Sequence, residues 1–288
     1  MKAGFISIFG KPNAGKSTLL NALLGEKLAI VSPKVQTTRH RIKGIMTEPG
    51  YQLIFSDTPG IIEPKYKLHE KMMHAVRGAL EDADLALLLV AANDNLDEVD
   101  EIFSSLRLKV PAIVVLNKAD LVSPQSRDAA LEFFRKKKYC REALAISALH
   151  NQHVDTLLQK VLHYIPEGEP FFEEDNISDL STRFFVSELI RERIYSLYEQ
   201  EIPYETTVLI AAFEEKTTLT KIRAEIIVQR ESQKAIILGE GGKMIKQLGT
   251  EARAAIEDFI GRKVFLELFV KVRPKWRDNE NYLKEYGY

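Results

Sequence analysis

The chain has 288 residues, of which 45% are hydrophobic and 28% are charged, and its net charge is −1. This length suggests two domains, and the balanced charge excludes a chain that is basic as a whole. The single cysteine, Cys140, excludes an internal disulfide and metal clusters built on thiolates. The longest apolar run, residues 85–92, is too short to span a bilayer, so we expect a soluble protein without a targeting segment.

A glycine-rich loop lies near the start of the chain. Residues 3–9 are apolar and strand-prone, and residues 18–24 favour a helix that Gly25 ends. Between them, the pattern G-x-x-x-x-G-K-[ST] is formed by Gly10, Lys11, Pro12, Asn13, Ala14, Gly15, Lys16 and Ser17. Such a loop directs backbone N–H groups at phosphate oxygens, above the positive end of a helix. Lys16 would bridge the β- and γ-phosphates and Ser17 would bind Mg²⁺, which predicts a nucleoside triphosphate site.

A hairpin and a second motif follow. Residues 42–46 and 51–55 predict two strands joined by a tight turn. Directly after them comes Asp57-Thr58-Pro59-Gly60. An aspartate at the end of a strand can hold Mg²⁺ through a water, and Gly60 lets a backbone N–H approach the γ-phosphate. Residues of this kind also form ordinary turns, but their position after a phosphate loop favours a nucleotide site.

Helices and strands alternate from there to residue 164. Apolar periodicity predicts helices at 65–82, 96–106, 127–138 and 154–164, and strands at 85–92, 112–116 and 143–146. This alternation is typical of a doubly wound α/β fold with a mostly parallel sheet, here of six strands. Ligands of such sheets bind at the carboxyl ends of the strands, where the motifs fall.

The motif Asn117-Lys118-Ala119-Asp120 indicates which base is bound. The Asp120 carboxylate can accept hydrogen bonds from N1–H and the 2-amino group of guanine. Adenine offers neither donor and would leave this charge unpaired. We expect Asn117 to tie this segment to the phosphate loop and the Lys118 stem to cover the base. Ser147 and Ala148 complete the predicted guanine site, with the Ala148 N–H directed at O6, so the sequence predicts GTP.

The second half begins after residues 166–175, which are rich in proline and acids and predict a linker. A helix is predicted at 178–198, and strands at 204–213, 222–230 and 264–272. Between the last two strands, a G-x-x-G loop joins two helices, and this arrangement resembles a KH domain. The resemblance implies RNA contacts by Ile236, Ile237, Gly239, Glu240, Gly241, Gly242, Lys243 and Lys246. A plain helix-turn-helix with glycine caps is the alternative.

Charge near this loop is only locally positive. Residues 243–277 contain nine cations and four acids, which supports a modest, salt-sensitive contact with phosphates. Trp276 could stack on a base or hold the carboxyl-terminal tail, and the sequence leaves both open. His150 and His153 have no evident third ligand, so we expect no metal site there, and we interpret Cys140 as a bystander.

The ordered motifs resemble those of the Era GTPases. The resemblance adds a switch I segment, formed by Gln36, Thr37, Thr38, Arg39 and His40, and a switch II segment, formed by Asp57, Thr58, Pro59, Gly60 and Ile61. Thr37 or Thr38 would approach Mg²⁺, and Thr38 is preferred. The resemblance implies a small-GTPase-like domain at residues 1–167, a linker at 168–177 and an α+β KH domain of type II at 178–288.

The same resemblance implies a function. An Era-type protein would hydrolyse GTP with Mg²⁺, bind the 3′ end of 16S rRNA and act in maturation of the 30S ribosomal subunit. It would be a cytoplasmic monomer, with peripheral contact to the inner face of the membrane left open. The alternative is a GTPase subunit of an RNA-modifying or membrane-associated scaffold system. Ile61 stands where many GTPases have a glutamine that orients the attacking water, and Asn13 suggests a K⁺ ion beside the phosphates.

Overall fold

Two units make up the protein in the computed structural model, which describes residues 1–288. The first unit contains Met1–Lys65 and His69–Asp179, and the second contains Tyr66–Leu68 and Leu180–Tyr288. None of the helices is both long and apolar enough to cross a bilayer.

A six-stranded sheet is the centre of the first unit. Its strands are β1 (Lys2–Gly10), β2 (Ile42–Glu48), β3 (Tyr51–Asp57), β4 (Leu85–Ala91), β5 (Ala112–Asn117) and β6 (Cys140–Ala145). The spatial order is β2-β3-β1-β4-β5-β6, with β2 antiparallel to β3 and all other neighbours parallel. The mostly parallel six-stranded sheet predicted from the sequence is confirmed.

Helices cover this sheet and bury its central strands. They are α1 (Lys16–Leu24), α2 (Lys67–Asp82), α3 (Leu96–Ser105), α4 (Pro124–Arg135) and α5 (Val154–Tyr164). Every residue of β4 and β5 is buried, as expected for apolar strands covered on both faces. Each such leucine, isoleucine or valine contributes about 1.5–3 kcal/mol by leaving water. This core fixes the strand ends from which the motifs extend.

The segment predicted as a linker, 168–177, belongs to the first unit. The buried Gln52 side chain on β3 accepts hydrogen bonds from the Phe171 and Phe172 N–H groups at 2.7 and 3.0 Å, and donates to the Phe172 carbonyl at 2.9 Å. Along β2, the Ile45 N–H donates to the Ile177 carbonyl at 2.9 Å. The division between the units therefore falls after Asp179, because long-range contacts hold the preceding segment against the sheet.

The second unit contains a three-stranded sheet and five helices. In chain order these are α6 (Thr182–Leu197), α7 (Ile202–Glu205), β7 (Thr207–Glu215), β8 (Thr220–Val228), α8 (Glu231–Leu238), α9 (Lys243–Ile260), β9 (Val264–Val272) and α10 (Glu280–Glu285). The sheet order is β7-β8-β9, with β7 antiparallel and β9 parallel to β8. This α-β-β-α-α-β order up to β9, apart from the short α7, is the predicted KH arrangement.

Alternating side chains build the core of the second unit. On β8, Ile222, Ala224 and Ile226 are fully buried, and on α9 the buried residues include Leu248 and Ala252, four positions apart. Tyr204, predicted at the start of a strand, lies in α7 instead, where Pro203 occupies a position in the first helical turn.

Trp276 holds the carboxyl-terminal tail. Its ring is fully buried, its Nε1–H donates to the Glu205 carbonyl at 2.9 Å, and its centroid lies 6.2 Å from that of Tyr288. The interpretation of Trp276 as a base-stacking residue is therefore wrong, because the indole has no exposed face.

Candidate functional site

The phosphate loop connects β1 to α1 and is tied to a distant segment. Gly15 has φ +95°, and a Cβ at this position would lie 2.3 Å from the Asn117 side-chain nitrogen. That nitrogen donates to the Ala14 carbonyl at 2.9 Å. Only glycine accommodates both the left-handed backbone and the close approach of Asn117. The expected link between the loop and Asn117 is present.

Lys16 is folded back over the loop. Its ammonium donates to the Gly10 and Lys11 carbonyls at 3.2 and 2.9 Å. Burial lowers the pKa of Lys16 to about 8, although the charges of Asp57 and Asp94 act in the opposite direction. The cation therefore lies where phosphate charge would stabilise it.

Three oxygen-bearing side chains converge beside Lys16. The Ser17 hydroxyl lies 2.6 Å from Asp57 Oδ2 and 3.0 Å from Thr38 Oγ1, and Thr38 donates to Asp57 Oδ2 at 3.2 Å. The Thr37 hydroxyl instead donates to the Lys34 carbonyl at 2.8 Å. Of the two threonines considered, the structure places Thr38 in this cluster.

This cluster fits Mg²⁺. Asp57 is fully buried, and its Oδ1 has no hydrogen-bond partner in the protein. Burial raises the pKa of Asp57, while the nearby Lys16 charge lowers it. A hard cation prefers oxygen ligands, so Ser17, Thr38 and Asp57 would hold Mg²⁺, directly or through water. When bound, the ion neutralises charge on the β- and γ-phosphates.

Switch II lies directly against the phosphate loop. A Cβ on Gly60 would come within 2.8 Å of the Pro12 nitrogen, and the Ile61 N–H donates to the Gly10 carbonyl at 3.1 Å. The Ile61 side chain has no polar atom, so it cannot orient the attacking water. Gly60 permits the close packing that brings this segment to the γ-phosphate position.

Switch I approaches the same site from the other side. Residues 36–40 form no helix or strand, and Gln36 has a left-handed backbone with φ +59°. Thr37, Thr38 and Arg39 are buried, and His40 is half-buried. These side chains therefore pack into the first unit.

The guanine motif follows the end of β5. Asp120 lies in a short turn, and the Ser147 side chain beside it holds the pKa of this carboxyl below its usual range. The Lys118 ammonium donates to the Asn13 carbonyl at 2.7 Å, across the position predicted for the base. The Ala148 N–H, predicted to read O6, donates to Asn117 Oδ1 at 3.0 Å.

One cavity of about 430 Å³ joins these parts, and it is large enough for a nucleotide. Its lining includes Lys16, Thr38, Gly60 and Asp120. Sequence reasoning missed residues 30–33, Leu121 and Leu149, which also line it. The two leucines are 66% and 75% exposed. Their position in the sequence, directly after each guanine-binding segment, could have indicated that they line the site.

The second unit contains a different glycine loop, between α8 and α9. Gly239, Gly241 and Gly242 all have positive φ, at 69°, 59° and 76°. A Cβ on Gly241 or Gly242 would meet nothing within 4 Å, so their backbone faces open space. Lys243 and Lys246 are in the first turn of α9, and both side chains are exposed. The loop thus offers backbone N–H groups and two cations.

Apolar side chains border this loop. Ile236 is 48% exposed, and Leu268 of β9 lies near Gly249 of α9, with its Cδ1 3.5 Å from the Cβ position there. Ile237, predicted to contact RNA, is fully buried, and that prediction is wrong for its side chain because it faces the core.

Comparison with known proteins identifies the family. A model of 50S ribosome-binding GTPases matches residues 5–118, and a KH domain model matches residues 201–277. GTPase Era of Staphylococcus haemolyticus is 41% identical over 290 residues, which cover 100% of this chain and 97% of that relative. The chain belongs to the Era GTPase family.

Two solved Era structures agree with this assignment over the whole chain. Era in complex with MgGDPNP and nucleotides 1506–1542 of 16S ribosomal RNA is 41% identical, with a TM-score of 0.95, covering 100% of this chain and 99% of that one. A single-residue variant of Aquifex aeolicus Era bound to GDP·AlF4⁻ is 40% identical, with a TM-score of 0.96 and the same coverage. As an Era GTPase, this protein hydrolyses GTP with Mg²⁺ and has a KH domain, as the motifs predicted.

Proposed function

We propose that this Era GTPase is a GTP-controlled switch that binds the 3′ end of 16S rRNA and acts in maturation of the 30S subunit. The observation that carries the proposal is the open backbone of Gly241 and Gly242, close in the chain to the exposed Ile236. The RNA-bound Era structure, 41% identical over the whole chain, supports the choice of RNA.

The loop offers three kinds of contact to a single strand. Backbone N–H groups and the N-terminus of the 18-residue α9 attract phosphate. Lys243 and Lys246 add charge that is sensitive to salt. Ile236 and Leu268 provide an apolar surface for bases, which KH domains splay out and read one by one.

The nucleotide controls this contact through the two switches. In the GTP state, the γ-phosphate holds the segments around Thr38 and Gly60, and hydrolysis releases them. Lys16 neutralises phosphate charge, and the backbone of residues 10–17 orients the chain of phosphates. Because Ile61 cannot orient water, hydrolysis depends on groups other than this side chain.

Binding of the RNA segment 1506–1542, the one present in the RNA-bound relative, tests the KH contact. The Lys243→Ala/Lys246→Ala variant should bind about tenfold more weakly by fluorescence anisotropy, since each lost phosphate contact weakens binding. Arg77→Ala/Lys284→Ala removes the same charge elsewhere and should bind like wild type. Equal binding by all three proteins would contradict the KH contact.

We also propose that Asn13 holds a K⁺ ion beside the phosphates. Its side-chain nitrogen donates to the Pro33 carbonyl at 2.8 Å, which orients the amide and leaves Oδ1 to act as a ligand. Hydrolysis should be faster in potassium than in sodium buffer, and Asn13→Ala should abolish that difference. Equal rates in both salts for the wild type would rule K⁺ out.

For location, we propose a cytoplasmic monomer with weak contact to the inner face of the membrane. Sedimentation with vesicles and sedimentation equilibrium test the two parts separately. A stable dimer, or complete absence from the soluble fraction of cells, would contradict this.

A further inference from the structure

A patch of exposed positive charge lies in the first unit, away from the nucleotide cavity. Its five side chains are exposed and form no ion pair: Arg107, Lys109, Lys136, Lys138 and Arg141. The two segments that carry this basic patch, 106–111 and 134–141, contain seven cations and no acid. The net charge of −1 for the whole chain conceals this concentration.

The pairing of β5 with β6 brings the two segments together. Ala112 pairs with Cys140, so both segments lie at the amino ends of two neighbouring parallel strands. Asn117, which belongs to the guanine site, is at the opposite end of the six-residue β5, roughly 17 Å away. The basic patch therefore lies at the amino ends of these strands, and the nucleotide site lies at their carboxyl ends.

Lys137 and Tyr139 hold the patch in shape. Both bind Asp100 on α3: Lys137 through an ion pair and Tyr139 through its hydroxyl at 2.7 Å. The Lys137 ammonium also lies 4.1 Å from the centroid of the Phe133 ring. These contacts fix the chain on both sides of Lys138.

Three of the neighbouring acids are already paired. Glu132 binds Arg135 at 2.6 Å, and Glu142 binds Lys160 and the Tyr164 hydroxyl. Asp100 is paired with Lys137. None of the five cations of the patch takes part in an ion pair within the chain.

We propose that the basic patch binds the phosphate backbone of a double-helical RNA segment, as a second RNA contact in addition to the KH loop. The proposal rests on the RNA-binding function proposed above. Exposed cations on two adjacent segments suit an RNA helix, which is recognised largely through its shape and backbone. Binding there would add affinity that is independent of the single-strand sequence.

A membrane surface fits the patch less well. Peripheral membrane contacts combine cations with apolar side chains that enter the lipid. Between residues 100 and 148, Leu121 is the only large apolar side chain that is exposed, and it lines the nucleotide cavity instead. The observations therefore favour RNA as the occupant.

A charge-reversal variant of the full chain tests the patch. Lys136→Glu/Lys138→Glu is compared with Arg77→Glu/Lys284→Glu, which changes exposed cations elsewhere by the same net charge. The probe is an RNA hairpin without a single-stranded extension, followed by fluorescence anisotropy over a range of salt. The patch variant should bind at least about tenfold more weakly. The slope of the logarithm of its affinity against the logarithm of the salt concentration should decrease in magnitude by about two. The control should match wild type.

A second probe, single-stranded RNA from the 3′ end of 16S rRNA, separates the two proposals. If wild type does not bind this strand, the proposed function fails. If wild type binds it but the patch variant keeps full affinity for the hairpin, only the basic patch is overturned. Equal loss in both charge variants would also overturn it, as would loss of binding to phosphatidylglycerol vesicles with unchanged hairpin binding. Unchanged GTP hydrolysis by both variants shows that they fold.

Discussion

Two glycine loops carry the ligand sites of this protein, and they are built in opposite ways. In the phosphate loop, a Cβ on Gly15 would lie 2.3 Å from Asn117, and residues 117 and 118 hold the loop through hydrogen bonds. In the KH loop, a Cβ on Gly241 or Gly242 would meet nothing within 4 Å. The first loop is fixed by its neighbours, whereas the second is open to solvent.

This difference determines how each loop selects its ligand. The phosphate loop is pre-organised, so binding does not require further ordering of its backbone. Its selectivity comes from side chains on other strands, such as Asp120. At Gly241 and Gly242 the KH loop has no close neighbours, and its affinity depends on backbone groups and cations that any phosphate chain can meet. A substitution in the phosphate loop should therefore disturb residues elsewhere in the nucleotide site, whereas the effect of a substitution in the KH loop should stay local.

Gly15→Ala should have the largest effect. The new methyl group displaces Asn117 and places alanine at φ +95°, which together cost about 4 kcal/mol, or about 1000-fold in GTP affinity. Fluorescent nucleotide binding measures this. Gly25→Ala is the matched control, since Gly25 also has positive φ but open space around its Cβ, and it should bind GTP normally. Equal affinity of Gly15→Ala and wild type would contradict the locked loop.

Asp120→Ala should weaken GTP binding by at least about 100-fold. It removes two hydrogen bonds to a charged acceptor, each worth about 1.5–3 kcal/mol. ATP binding should stay weak, because adenine lacks both donors. Calorimetry with each nucleotide gives the comparison, and Asp128→Ala, on α4 away from the cavity, is the control. A variant that binds GTP like wild type would show that Asp120 does not read the base.

GTP affinity should fall about tenfold per pH unit above pH 8. Lys16 has a pKa of about 8 in the free protein, and bound phosphate raises it. Above pH 8 the free protein has lost this proton, so binding must take one up and weakens as pH rises. Calorimetry at about pH 8.5 in buffers of different ionisation enthalpy should detect proton uptake. No uptake would mean that Lys16 does not titrate in this range.

Gly242→Ala should have the smallest effect. Its left-handed backbone costs alanine about 1 kcal/mol, and no neighbour is displaced. Urea unfolding of the second unit should show this loss, while GTP affinity stays unchanged. A fall in GTP affinity would mean that the KH loop is not locally independent.

The sequence predicts features that are local or periodic. The buried β4 is visible as an apolar run, and the helix predicted at residues 154–164 is observed as α5 with the same bounds. The predicted start of α4 is three residues late, although Ser123 and Pro124 carry the usual capping signal. The motifs predict which residues meet at the nucleotide site, because each motif follows the carboxyl end of a strand.

The sequence does not predict features that depend on contacts with residues far away in the chain. The burial of Ile237 follows from which face of α8 meets the core, and so short a helix carries no clear sign of that face in its sequence. Trp276 is buried by Glu205 and Tyr288, and Glu205 is far away in the chain. The basic patch arises because β5 and β6 are neighbours, so its two halves are unrelated charge runs in the sequence.

The contacts of Gln52 determine how long a truncated chain must be to keep the GTP-binding unit intact. A chain cut after residue 167 would keep every nucleotide motif, yet the buried Gln52 amide would lose its partners at Phe171 and Phe172. The ring of Phe5 would also lose Phe171, whose centroid lies 4.7 Å away. A transplantable module must therefore extend to Asp179, and a protease that removes residues 168–179 should weaken the sheet rather than merely separate two units.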